Sequence, residues 1–139
     1  MRYFYIVMML FLFISCKSAE NNVQTSSDIN FNEGWVNENK FAAVSIGYPN
    51  GYSANKDDAK DSAFKAALAL SKVKIENAFA KEMPNKNEDM KELKNIVDKY
   101  IKIEYSYFID DRYYQMKTTV EYNNLLSLLR EGNIKKILN

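Results

Sequence analysis

The chain has 139 residues, with 19 basic and 18 acidic side chains, one cysteine and no histidine. Near-neutral charge leaves no electrostatic footprint for nucleic acid. The missing histidine removes Ser-His-Asp and Cys-His catalysis, the usual zinc and copper sites and the simplest pH sensor. A lone thiol rules out an internal disulfide framework. The expectation is therefore a non-catalytic binding or assembly protein, without cofactor or metal.

Met1-Arg2 is followed by an apolar run, Tyr3 to Ser15, and then by Cys16. A basic start, a greasy stretch and a small residue before the break are the parts of a secretory signal. The run is shorter than the roughly 20 apolar residues a transmembrane helix needs. It ends in Leu12-Phe13-Ile14-Ser15-Cys16, which resembles the lipobox of bacterial lipoproteins, with Phe13 at a place usually held by leucine. The resemblance implies that the Cys16 thiol receives a diacylglycerol, that residues 1–15 are removed as a signal peptide, and that the new amino terminus is acylated. Membrane lipid is then the first partner, held firmly once two or more chains insert at about 0.8 kcal/mol per buried methylene. Lys17 follows the cysteine, in place of the aspartate that retains lipoproteins at the inner membrane in some bacteria. The outer membrane is the expected location, with the periplasmic and the surface side both open.

Residues 16–34 are polar, rich in Asn, Ser and Glu, with no apolar period. They read as a flexible tether of roughly 25 Å root-mean-square span. Trp35 opens a single domain, residues 35–139. Phe41 to Tyr48 is nearly continuous in apolar character and reads as a strand covered on both faces. Pro49-Asn50-Gly51 is turn punctuation. Asn55 then caps a long alanine-rich helix with Asp57, Asp58 and Asp61 in its first turns. Its expected packing stripe is Ala59, Ala63, Ala66, Leu70 and Val73, widened by Phe64, Ala67, Leu68, Ile75 and Phe79, and Pro84 ends it. From Glu88 to about Tyr100 a second helix follows, capped by Asn87, or else the first resumes after a kink.

At Ile101 the period changes from 3.6 to 2. Ile101, Ile103, Tyr105, Tyr107 and Ile109 alternate with Lys102, Glu104, Ser106 and Phe108. Asp110-Asp111 is a tight turn, and Tyr114 to Tyr122 alternates likewise, giving a long antiparallel hairpin. A last helix, Leu125 to Arg130, is capped by Asn123 or Asn124 and stopped by Gly132, with Ile134, Ile137 and Leu138 as a frayed extension. The order predicts an α+β fold: a small, mainly antiparallel sheet of three or more strands, packed by the long alanine-rich helix and shorter helices.

A lipobox cysteine, a polar tether, Trp35, a strand ending in Gly47, an alanine-rich helix with an acidic start and a tyrosine-rich hairpin closing on a short leucine helix form a pattern. It resembles the LPP-twenty-like family of small bacterial outer-membrane lipoproteins over roughly Trp35 to Leu129. That resemblance implies a compact α+β domain, an outer-membrane anchor, self-association and no established enzymatic activity.

Two motif matches have simpler explanations. Asp57-Asp58-Ala59-Lys60-Asp61 fits the DDxxD of prenyl-diphosphate enzymes, but acidic residues at a helix start suit the helix dipole. Ser71-Lys72-Val73-Lys74 fits the SxxK of penicillin-recognising enzymes, yet Lys117-Thr118-Thr119 lacks the glycine of the companion KTG, and Ser71 is expected on a solvated helix face. The candidate contact residues lie elsewhere. Tyr105, Tyr107, Tyr113, Tyr114 and Tyr122 crowd one hairpin, and Phe108 and Tyr113 flank its turn on what reads as the polar side. Leu125 and Leu129 are expected in the core, while Leu126 and the Ile134–Ile137 tail are candidates for a subunit interface. The leading expectation is association with copies of the chain or with another envelope protein through the hairpin edge. The alternative is a surface ligand-binding or adhesive lipoprotein using an aromatic sheet face.

Overall fold

The computed structural model describes residues 31–84 and 90–139. Cys16, the signal segment, residues 17–30 of the expected tether, the Asn87 cap and the Glu88 start lie outside the described residues. The α+β expectation holds. Four antiparallel strands form one sheet in the order β1-β2-β4-β3, from β1 (Gly34–Asn37), β2 (Lys40–Gly47), β3 (Ile101–Ile109) and β4 (Tyr113–Glu121). Strand β1 is an addition to the expected set. Its turn is closed by the Asn39 N–H donating to Asn37 Oδ1 at 2.8 Å.

Helix α1 (Lys56–Glu82) lies across one face of the sheet. Asn55 caps it by accepting the Asp58 N–H at 2.9 Å, and Met83, extended, ends it just before Pro84. The buried column is Ala63, Ala67, Ser71, Ile75 and Phe79 at a strict spacing of four. This corrects the expected stripe: Leu70 and Val73 are 42% and 50% exposed, while Ser71 is fully buried. The reason is closeness. A Cβ on Gly47 would sit 2.1 Å from the Ala63 carbonyl oxygen and 2.3 Å from the Ala67 nitrogen. Only small side chains fit where helix and strand backbones touch, so alanines and a serine turn inward and leucine and valine turn out. Ser71 shares a hydrogen bond of 2.7 Å with Ser45 of β2, and Ser45 Oγ donates to the Ala67 carbonyl at 2.8 Å.

Towards the other end of β2 the gap widens and larger rings fill it. Phe79 stacks on Trp35 of β1 at 5.7 Å and meets Phe41 of β2 edge-on at 5.7 Å, and Trp35 meets Phe41 at 5.2 Å. Helix α2 (Met90–Tyr100) is a separate element that buries Leu93, Ile96 and Val97. It lies against α1, where Lys72 pairs with Asp98 at 2.6 Å, and it runs directly into β3. Helix α3 (Leu125–Arg130) buries Leu125 and Leu129 as expected. Asn124 adopts a left-handed conformation (φ 56°) without a side-chain cap. The β1–β2 turn does the capping instead: Asn39 Oδ1 accepts from Asn124 N–H at 2.7 Å and the Glu38 carbonyl from Leu126 N–H at 3.0 Å.

Gly132 (φ 69°) stops α3. The tail then corrects its expectation, because Lys135–Leu138 forms a further short helix, α4, and Ile134 and Ile137 are 1% and 0% exposed. They fill the core and are not available to a subunit interface. Two tyrosines fasten this end, Tyr100 donating to the Ile137 carbonyl at 2.8 Å and Tyr122 to that of Lys136 at 3.0 Å, with their rings 5.3 Å apart.

Two substitutions test this packing by chemical denaturation. Gly47→Ala drives a methyl into helix backbone, and a loss of about 3 kcal/mol or more is expected. Thr118→Val removes a buried hydroxyl that has no hydrogen-bond partner among the described residues. It is expected to leave stability unchanged or raise it by about 1 kcal/mol.

Candidate functional site

The sheet face turned away from α1 carries no helix among the described residues, and the hairpin presents Tyr105, Tyr107 and Tyr113 there. The strand pattern is not the one the alternation implies. A bulge between Ile103 and Tyr105 inserts Glu104 as an extra residue opposite β4. Ile101 and Ile103 belong to the helix side, but Glu104 and Tyr105 both fall on the uncovered face. From there Tyr107 and Ile109 continue on that face, and Ser106 and Phe108 turn towards α1.

This separates the expected contact residues. Phe108 pairs with Tyr114, whose ring lies 5.5 Å away, and Tyr114 meets Phe64 of α1 at 5.3 Å. Phe108 is thus half-buried on the helix side, a correction to its expected place beside Tyr113 on the polar side. Tyr113 pairs with Ile109 on the uncovered face, its ring 5.8 Å from that of Tyr48. Tyr105 meets Phe31 edge-on at 5.6 Å and Tyr107 at 6.2 Å, and it carries the Lys117 ammonium 5.6 Å from its centroid. Leu126 is half-buried on α3, whose N-terminus the β1–β2 turn caps, and is not brought to these aromatics. Tyr105 and Tyr113 share a face; Phe108 and Leu126 do not join them.

Phe31 and Glu33 belong to the stretch expected to be tether, yet both are held to the sheet. From Phe31 on Tyr105, the chain steps across the uncovered face to the free side of β2. There Glu33 Oε2 accepts the Val44 N–H at 3.1 Å and the Lys74 ammonium of α1 at 2.7 Å, and Lys74 also donates to the Val44 carbonyl at 2.6 Å. In register at the middle of this face, Ala42 and Thr119 are 0% and 4% exposed. Burial pushes the Glu33 carboxyl up, but the Lys74 and Val44 hydrogen bonds and the Lys74 charge outweigh it and leave it below its ordinary value. A second ionic group lies on the same face, where Glu104 binds Lys40 of β2 and, at 3.3 Å, Lys117 of β4. The Lys40 hydrogen bond, reinforced by Lys117, holds the Glu104 carboxyl below its usual range against the effect of burial, and Lys40 is raised in return. The bulge aims Glu104 at both lysines.

The enzyme-like motifs do not converge. Ser71 points into the sheet while Lys74 reaches the edge of β2, so serine and lysine diverge. Asp57 and Asp58 sit in the first turn of α1, and Asp61 pairs with Lys65 one turn on at 2.6 Å. An open depression of about 350 Å³ beside them is lined by Tyr52, Ser53 and Ser62 among others. Its hydroxyls and amides bond to one another: Ser62 accepts the Asn50 N–H, and Ser53 donates to the Asn50 carbonyl. Among the described residues no acidic or cysteine cluster has the arrangement of a metal site, and no helix is long and apolar enough to cross a membrane. No protein-family model, curated protein or solved structure matches the chain.

The lowered Glu104 value gives a pH signature. A depressed carboxyl contributes stability above its unfolded value of about 4.5, and that contribution disappears as pH falls through the folded value. Glu104→Gln is expected to cost about 1 kcal/mol at pH 7. The deficit should close as the wild type is acidified towards pH 3, read from urea midpoints at the two pH values. An equal deficit at both would show that the charge is not what Glu104 contributes.

Proposed function

We propose that this chain is a membrane-anchored lipoprotein of the bacterial envelope, fixed to the outer membrane through acylated Cys16. Its α+β domain serves as a non-catalytic module for protein association. The observation that carries the reading is the composition of the sheet's outer strand. Strand β3 lies at the edge, its Tyr105–Ile109 half bears no charge, and Ile103 and Tyr107 are 42% and 46% exposed. An uncharged, partly exposed edge strand is a template for pairing with another chain. The lipobox-like Leu12–Cys16 segment and the resemblance to LPP-twenty-like lipoproteins agree with it. A second reading, a surface binder that takes a ligand on aromatic rings, draws on Tyr48 and Tyr107, 65% and 46% exposed on one face.

The anchor is tested by detergent phase partitioning and mass spectrometry of the native protein. The wild type is expected in the detergent-rich phase with an acylated Cys16 at its amino terminus, and Cys16→Ser is expected to remain uncleaved and unacylated. An intact Met1 or an unmodified Cys16 thiol on the wild-type protein overturns the reading.

A further inference from the structure

The direction of the backbone groups across β2, β4 and β3 follows from one residue. Both the N–H and the carbonyl of Val44 are taken by Glu33 and Lys74, so they point away from β4. In an antiparallel ladder the groups of successive residues alternate in direction. Val44 pairs with Lys117, so Gln115, Lys117 and Thr119 direct theirs to β3. Their partners Tyr107, Tyr105 and Lys102 answer them. Ser106 and Phe108 must then point outward, and no other described segment hydrogen-bonds their backbone. Among the described residues an ion pair covers β2 at Val44, and the outer half of β3 has donors and acceptors facing out at Ser106 and Phe108.

We propose that the Tyr105–Ile109 half of β3 pairs with the same half of a second copy, antiparallel about a two-fold axis at Tyr107, joining two sheets into one. The inference rests on the association reading above and names its partner and register. Self-complementarity is the argument for a second copy. About that axis Ser106 faces Phe108 of the other copy, so both outward-pointing residues exchange N–H and carbonyl bonds reciprocally. Tyr107 faces its own image and Tyr105 faces Ile109, all on the face away from α1, while Ser106 and Phe108 share the helix side. No charge lies within the run. Of the charged pair that flanks it, Glu104 opposite Asp110, Glu104 is already neutralised by Lys40 and Lys117. Moving the axis by one residue, to Ser106, would bring Phe108 against Glu104, on opposite faces because of the bulge. The bulge therefore sets where the pairing ends.

The test uses the full chain in detergent, by sedimentation equilibrium with the micelle contribution matched. Ser106→Pro removes only an outward N–H and leaves the β3–β4 ladder intact. Tyr107→Lys sets two like charges face to face. Tyr107→Cys places two thiols in a non-hydrogen-bonded pair, close enough to bridge. The wild type is expected to dimerise, and each of the first two variants to weaken the dimer about ten-fold or more while keeping the wild-type circular dichroism. Tyr107→Cys should cross-link on mild oxidation, and neither the wild type nor Asn77→Cys, exposed on α1, should do so. If Ser106→Pro does not fold, the two Tyr107 variants decide. A dimer that survives Ser106→Pro and Tyr107→Lys overturns this edge while leaving self-assembly standing. A monomeric wild type overturns the second copy as partner, and the state of Cys16, read separately, still reports on the anchor. Absence of the Tyr107→Cys cross-link overturns the register.

Discussion

The near-contact between the backbones of α1 and β2 sets the geometry of everything else. With a hydrogen for a side chain at Gly47 and methyls at Ala63 and Ala67, helix and strand meet at a distance no larger pair allows. Ser45 and Ser71 keep the approach close by satisfying each other, which lets two hydroxyls be buried at little cost. Further along, Phe79 stands over Phe41 and Trp35. The interface is a wedge, thin at Gly47 and thick at Phe41. Its thick end creates the space that α2, α3 and α4 fill with Leu93, Ile96, Leu125, Leu129, Ile134 and Ile137. The short C-terminal helices are thus part of the core that the wedge opens.

Most elements were legible in the sequence because local signals agreed with the fold. Asn55 before an acidic first turn, Pro84 after Met83, the change of period at Ile101 and the Asp110-Asp111 turn each mark a real boundary. Both aspartates adopt left-handed conformations, with φ of 50° and 55°, as a tight hairpin turn requires. The phase of α1 was not legible. An alanine-rich helix with apolar residues on several sides has no dominant stripe, so the larger leucine and valine mask the small residues that pack. Strand β1 is only four residues long, and Trp35-Val36 ahead of the Asn37-Glu38-Asn39 turn was its one signal.

The faces of the candidate contact residues are less legible in the sequence, for a definite reason. Alternation in β3 is unbroken in the sequence, yet the structure inserts Glu104 as a bulge and reverses the faces of every later residue in the strand. Sequence spacing carries no mark of that reversal. What accompanies it is electrostatic: the bulge brings Glu104 to Lys40 and Lys117, on two strands that only the folded sheet places beside it. Phe108 consequently moves to the helix side and Tyr105 stays beside Lys117. The Ile134–Ile137 tail departs from its sequence pattern in the opposite sense. Seven residues after a glycine stop look like a loose end, and only the space opened at the thick side of the wedge draws Ile134 and Ile137 in.

The crossing of Phe31 to Glu33 has a mechanical consequence. Force applied to the chain ahead of Phe31 does not run along a strand. It travels transversely over the sheet, peels an aromatic ring from Tyr105, and must rupture the contacts of Glu33 with Lys74 and Val44 before Gly34 feels any load. Those contacts are charged and solvent-facing, so they soften in acid or concentrated salt while the wedge beneath does not. A pull from that side would therefore load first the contacts whose strength the surrounding medium can tune.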